Sequence, residues 1–140
     1  MKPRILVLCT GNSARSQMAE AFLRELLRDR AEVFSAGTEP RPIHPLTIKV
    51  MSEIGIDISG QSSKSVASFL GQRFAYVITV CDRAAENCPV FPGISRRFHV
   101  PFEDPAKADG SESEKLAVFR RVRDEIRAWA EAWVRENLPG

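Results

Sequence analysis

The segment Cys9-Thr10-Gly11-Asn12-Ser13-Ala14-Arg15-Ser16 places a cysteine five residues ahead of an Arg-Ser pair. A loop of that length can curl so that its backbone N–H groups point inward, forming an anion nest at a helix N-terminus. Thr10, Gly11, Asn12, Ser13 and Ala14 supply the nest, and Gly11 permits a positive φ. Arg15 can fold back and grip two oxygens of a tetrahedral oxyanion with its planar fork. Nest, helix dipole and Arg15 all favour a thiolate, so the Cys9 pKa is expected below its reference of about 8.5. Ser16 can donate to that thiolate or to the leaving sulfur, and Asn12 can fix the loop by bonding its backbone. A thiolate that displaces an oxygen needs a proton donor for the leaving group. Asp104, followed by Pro105, is the candidate, with Glu103 the adjacent alternative; His99 and His44 read as structural. The plainer alternatives are an inert Cys9 beside a solvated Arg15, and an Asp-Pro pair that only forms a turn.

The elements that must position these groups follow from periodicity. Ile5 to Leu8 is a short continuous apolar run, suited to a strand buried on both faces of a parallel sheet. A helix carrying Met18, Phe22, Leu23, Leu26 and Leu27 on one side comes after the loop, and Glu32 to Ala36, closed by Gly37, reads as a second strand. Pro45 opens a helix with Leu46, Val50, Met51 and Ile54, ended at Gly55. Ser62 or Ser63 is expected to cap a short helix through Leu70. Ala75 to Val80 is a third strand with Cys81 at its C-terminal end; Asp82 to Gly93 reads as loop; Arg97 to Val100 is a fourth strand; Pro101 to Gly110 is loop again. In the last helix, from about Ser111 to Glu136, Phe119, Val122, Ile126, Trp129 and Trp133 share one face and read as core anchors. The expectation is a three-layer α/β/α fold around a four-stranded parallel sheet. Cys9 and Cys81 each follow a strand, so both should reach the carboxyl edge where such folds bind ligands.

Composition narrows the function classes. The 140 residues are 44% hydrophobic and 27% charged, and predict one domain spanning 1–140. Twenty basic against 18 acidic residues give +2, no signal for nucleic acid or membrane, so a small molecule or another protein is the expected partner. No stretch approaches the 18 apolar residues of a membrane span, and the run at Ile5 is too short for a signal peptide. Three cysteines, Cys9, Cys81 and Cys88, argue against a secreted disulfide framework and for a cytoplasmic protein with working thiols. A zinc site from these cysteines and His99 would need Cys-x6-Cys, wider than the usual spacing; no metal and no cofactor are expected.

The stretch Val7 to Glu20 resembles the start of the thioredoxin-coupled arsenate reductases, which share the low-molecular-weight protein tyrosine phosphatase fold. Further matches are Ser35-Ala36-Gly37, Ile56 to Ser59, Val77 to Cys81, Asn87-Cys88-Pro89, Phe102-Glu103-Asp104-Pro105 and Phe119 to Ile126, so the likeness covers nearly the whole chain. The first motif fits reductases and phosphatases alike; the Cys81 and Cys88 pair points to the reductases.

The resemblance implies a relay. Cys9 attacks arsenate, Arg15 holds the oxygens and Asp104 protonates the departing water. Cys81 attacks the Cys9 sulfur, arsenite leaves and a Cys9–Cys81 disulfide forms; Cys88 then moves the disulfide to Cys81–Cys88, which thioredoxin reduces. Phosphate and sulfate should compete for the same loop, and glutathione with glutaredoxin is the alternative reductant. Cys81 and Cys88 are seven positions apart, about 10.5 Å of rise in a helix, whereas a disulfide needs Cα atoms within about 7 Å. The segment from Cys81 to about Ile94 is therefore expected to be mobile. Some family members bind potassium through residues matching Asn12, Glu20, Ser35 and an Asp; here Lys64 stands at the last position, and its ammonium is expected to replace the ion, pairing with Glu20 and supporting Asn12. The family expectation is a monomer. The nearest rival is a phosphatase acting on phosphomonoesters, against which stands Ala106-Lys107 after Asp104-Pro105, where aromatic residues would flank a phosphotyrosine ring. A non-catalytic anion- or redox-sensing module is a rival of another class.

Overall fold

The computed structural model describes residues 2–140. Four strands, β1 (Arg4–Cys9), β2 (Glu32–Gly37), β3 (Tyr76–Thr79) and β4 (Arg96–His99), form one parallel sheet in the order β2-β1-β3-β4. β1 is central and buried on both faces, which is why its sequence is apolar without alternation. Its odd residues Ile5, Val7 and Cys9 join the larger core and its even residues Leu6 and Leu8 the smaller one, as the two-residue period of a strand requires.

The larger core lies under α1 (Arg15–Leu27), α2 (Pro45–Ser52) and α4 (Glu112–Asn137). Ser111 closes a capping box with Glu114 at the start of α4. Trp133 is buried edge-on against Tyr76 and Phe98, while Trp129 is half-buried beside Phe102, so both tryptophans serve packing. The opposite layer is thin. It holds a 3-10 turn (Val66–Phe69), the five-residue α3 (Asp82–Glu86) and a cluster around Phe69, Phe74 and Phe91.

Three local readings need correction. The segment after Cys81 is not all loop: α3 forms because Cys81 caps it, Asp82 sits favourably in its first turn and Ala84, Ala85 and Glu86 are good helix formers. The prolines at 89 and 92 come only after it ends. Ser65, rather than Ser62 or Ser63, caps the turn at Val66, its hydroxyl accepting from Ala67 N. Within the stretch read as loop from Pro101, a 3-10 turn (Pro105–Lys107) is capped by the Asp104 carboxylate.

Candidate active site

Residues 9–15 wrap from the end of β1 into the start of α1, and this loop is held from below by a buried polar network. Asn12, and not Gly11, takes the left-handed conformation, at φ 50°. A short polar side chain tolerates that backbone when it is bonded locally, and Asn12 is fully engaged. Its amide donates to Ser16 Oγ at 2.8 Å and Ser35 Oγ at 2.9 Å, and its Oδ1 accepts from the Lys64 backbone N–H at 2.8 Å. Ser35 in turn donates to the buried Glu20 carboxylate. Gln17 donates to the carbonyls of Asn12 and Ser62 at 3.0 Å each. The side chains of Asn12, Ser16, Gln17, Glu20 and Ser35 are buried and partnered, the condition under which a polar network stiffens a site.

Sequence reasoning missed two contributors. Gln17 carries no sequence signal of its own, being one polar residue in the first turn of a helix. Gly37 was read only as the end of a strand, yet a Cβ there would stand 2.5 Å from the Thr10 carbonyl oxygen and 3.0 Å from Asn12 N. The second strand thus approaches the loop closely enough to admit only glycine. A Gly directly after a buried strand, level with a loop on its neighbour, was the available signal.

Above the network lies a cavity of about 290 Å³. Cys9, Arg15, Cys81 and Asp104 all line it, with the cationic side chains Arg41, Arg83 and Lys107 among the rest. Arg15 is 8% exposed; one nitrogen donates to the Phe102 carbonyl at 3.2 Å and another lies 3.5 Å from Asp104 Oδ2. Its Nε is buried and has no hydrogen-bond partner among the described residues. Buried donors are normally paired, so this N–H is set for an acceptor that enters the cavity. Asp104 spends Oδ1 on capping the turn after it and presents Oδ2 to Arg15. Glu103 pairs instead with Arg121 at 3.0 Å and is not among the residues lining the cavity. His44 caps α2 and packs on Phe119.

Cys9 and Cys81 both line this cavity, and each shifts the titration of the other. That proximity changes the expectation for Cys9. The neighbouring Cys81 raises the Cys9 pKa most, burial adds to that, and Arg15 and the Asn12 N–H pull the other way. Cys81 goes down to about 5, first through Cys9, with further help from the Thr10 hydroxyl at 3.2 Å and the Ala84 N–H at 3.4 Å. The two thiols therefore lose their protons separately, the first one more readily than an ordinary cysteine. Cys88 is half-buried beyond α3 and does not line this cavity.

The donor set around Asn12, Glu20 and Ser35 does not suit a potassium ion. Glu20 Oε1 accepts from Ser35 and lies 3.8 Å from Lys64 Nζ, and Oε2 lies 3.1 Å from Arg24. Two cationic side chains already neutralise the carboxylate. Lys64 does pair with Glu20, but it supports Asn12 through its backbone N–H, while its ammonium donates to the Ser62 carbonyl. Among the described residues no group of three or more His, Cys, Asp or Glu could hold a metal ion.

Residues 4–138 match the model of the low molecular weight phosphotyrosine protein phosphatases. The chain belongs to this family. Within it, an arsenate reductase of Halalkalibacterium halodurans is 51% identical over 125 residues, covering 89% of this chain and 90% of that protein. A solved arsenate reductase in the oxidized state matches with a TM-score of 0.81 at 34% identity, over 97% of this chain and 98% of that one. The thioredoxin-dependent arsenate reductase of Corynebacterium glutamicum matches with a TM-score of 0.67 at 28% identity, over 94% of this chain and 61% of that one.

Proposed function

We propose that this family member is an arsenate reductase, one domain acting as a monomer in the cytoplasm and regenerated by thioredoxin. The observation that carries the reading is that Cys9 and Cys81 line one cavity with an orphaned arginine N–H. Oxyanion capture needs one thiol; a second thiol in the same cavity adds electron transfer. The high identity to arsenate reductases supports the same conclusion. Among the described residues no helix is long and apolar enough to cross a membrane.

The reaction follows from the geometry. Arsenate enters against the amides of Thr10 to Ala14 and the Arg15 fork. The Cys9 proton passes to Cys81, and the Cys9 thiolate attacks arsenic. Water departs with a proton from Asp104, and a Cys9–As bond forms. Cys81 gives its proton to the Asp104 carboxylate that the previous step emptied, and its thiolate attacks the Cys9 sulfur. The S–S bond forms, the As–S electron pair stays on arsenic, and As(V) becomes As(III), released as arsenite. Cys88 exchanges into the Cys9–Cys81 disulfide, freeing Cys9 and leaving Cys81–Cys88 for thioredoxin. That last bond requires α3 to unwind, because the five-residue helix lies between the two cysteines and holds them apart.

Phosphomonoester hydrolysis is favoured by one observation only, the family model itself. The cavity is lined by cationic side chains and, among the described residues, by no aromatic ring. Cys88→Ser separates the readings. With arsenate and thioredoxin it should release about one arsenite per chain and stop as a Cys9–Cys81 disulfide, detected by alkylation and mass mapping. Sustained turnover in that variant sinks the relay, and absence of arsenite from the unmodified protein sinks the reductase reading.

A further inference from the structure

β4 is an edge strand, and its residues Arg97 and His99, two apart, point to the same side. Both grip the segment that carries the outer thiol. His99 Nε2 meets Asp82 Oδ1 at 2.8 Å, at the first residue of α3, while its Nδ1 meets Thr79 Oγ1 at 2.8 Å. Arg97 takes the other end: Nη1 donates to Cys88 Sγ at 2.8 Å and Nη2 to the Pro89 carbonyl at 2.8 Å. Beneath the segment is a cavity of about 190 Å³ that Cys88, Arg97 and His99 help to line.

We propose that Arg97 is a positioning residue for the disulfide hand-over, holding the Cys88 sulfur in a fixed direction on the segment that must carry it to Cys81. The role rests on the reductase reading above. The guanidinium bonds the sulfur directly, and its second bond, to the Pro89 carbonyl that Cys88 Sγ also meets at 3.6 Å, fixes the direction in which that sulfur lies. In the exchange, the Cys88–Cys81 bond forms and the Cys81–Cys9 bond breaks. The electron pair and the negative charge leave on Cys9, where Arg15 and the loop amides receive them. The Cys88 proton goes to solvent ahead of the attack, and no outside reductant is needed. The remaining walls of the small cavity bear little on this sulfur. His99 is its other ionisable side chain, already tied to Asp82; β3 contributes Val77 and Thr79, α3 contributes Ala85, and Phe98 completes β4's share.

The test uses the full chain, Arg97→Met and Arg97→Lys, mixed with arsenate without thioredoxin, then acid-quenched and mapped for disulfides. First arsenite release, in which Cys88 takes no part, is the internal control for folding. In Arg97→Met the Cys9–Cys81 species should persist, its conversion to Cys81–Cys88 slowed about tenfold at pH 7. Arg97→Lys, which can still bond the sulfur, should retain most of the rate. Conversion of Arg97→Met at the unmodified rate, or an Arg97→Lys slowing as large as that of Arg97→Met, overturns the proposal. Normal arsenite with an undisturbed hand-over sinks this proposal alone; no arsenite from the unmodified protein removes the reductase reading and this one together.

Discussion

Two segments of this chain each carry a thiol at the carboxyl end of a strand, and they are built in opposite ways. The loop after β1 rests on buried, mutually satisfied polar side chains and a glycine that admits no substituent. The segment after β3 is a five-residue helix followed by turns in which Val90 is 89% and Ile94 98% exposed. Few apolar contacts and exposed backbone bonds mark regions that open locally at low cost. The contrast matches the two tasks. Holding a tetrahedral oxyanion rewards donors that do not move, since they need no reorganisation when the ligand arrives. Carrying a disulfide outward demands that Cys81 and Cys88 change their separation. Cys9 is fixed, Cys81 already shares its cavity, and Cys88 must be brought in.

The largest effect that can separate the regions is loss of a single sulfur. Cys9→Ser should abolish arsenite formation, by about four orders of magnitude or more, because nothing else in the cavity can form the bond to arsenic. Phosphate affinity, read by calorimetry, should fall by less than about tenfold, since the amides and Arg15 remain. If Cys9→Ser keeps measurable arsenite release, the fixed-thiol half of the comparison is wrong.

A smaller effect appears in the pH dependence of folding. Cys81 is drawn to about 5 in the folded chain from an ordinary value of 9.0. Between those values the unfolded state binds one proton more, so stability should rise with pH there, by up to about 1 kcal/mol per pH unit. Cys9 is shifted the other way, so above pH 9 the folded state retains the extra proton and stability should fall again. Urea unfolding of the reduced protein from pH 5.5 to 10, compared with Cys81→Ser, checks both limbs. A Cys81→Ser difference that is flat between pH 5.5 and 9 would show that the two thiols are not coupled.

A paired substitution sharpens the contrast in stiffness. Gly37→Ala drives a methyl into the Thr10 carbonyl and should cost about 1–3 kcal/mol of global stability, with weaker phosphate binding. Glu86→Gly, on the exposed last turn of α3, should cost less than about 0.5 kcal/mol globally, because that turn opens without the core. Denaturant midpoints decide between them, and equal losses would mean that α3 belongs to the same cooperative unit as the loop.

How far the sequence could be read differs between the regions for the same reason. The sheet, α1 and α4 were legible because each buries apolar residues with a clear period, and the meeting of Cys9, Arg15 and Asp104 in one cavity was legible because the first two share a loop and the third follows another strand on the same carboxyl edge. Asn12 as the left-handed residue was not. Glycine is the default for positive φ, and only the bonds from Asn12 to Ser16, Ser35 and Lys64, residues far apart in sequence, make the exception stable. Helix α3 was hidden because five residues carry too little periodicity to outweigh two nearby prolines. The opposite shifts of Cys9 and Cys81 were hidden because they depend on a distance between side chains, which no one-dimensional pattern contains.

The smallest expected effect concerns the support beneath the loop. Glu20 is buried with Ser35, Lys64 and Arg24 around it, so its charge is answered twice from within the chain. A further cation would meet two like charges at short range and would find Asn12 Oδ1 already bonded to the Lys64 N–H. Replacing sodium by potassium at equal ionic strength should therefore change kcat/KM by less than about twofold, since ordinary screening treats the two ions alike. Lys64→Asp inverts the arithmetic: it keeps the backbone bond to Asn12, removes the ammonium and sets a second carboxylate near Glu20. That variant should lose stability and regain part of it in potassium but not in sodium. A strong potassium stimulation of the unmodified protein, or indifference of Lys64→Asp to both ions, would mean that the Lys64 ammonium does not do the work of a cation at this site.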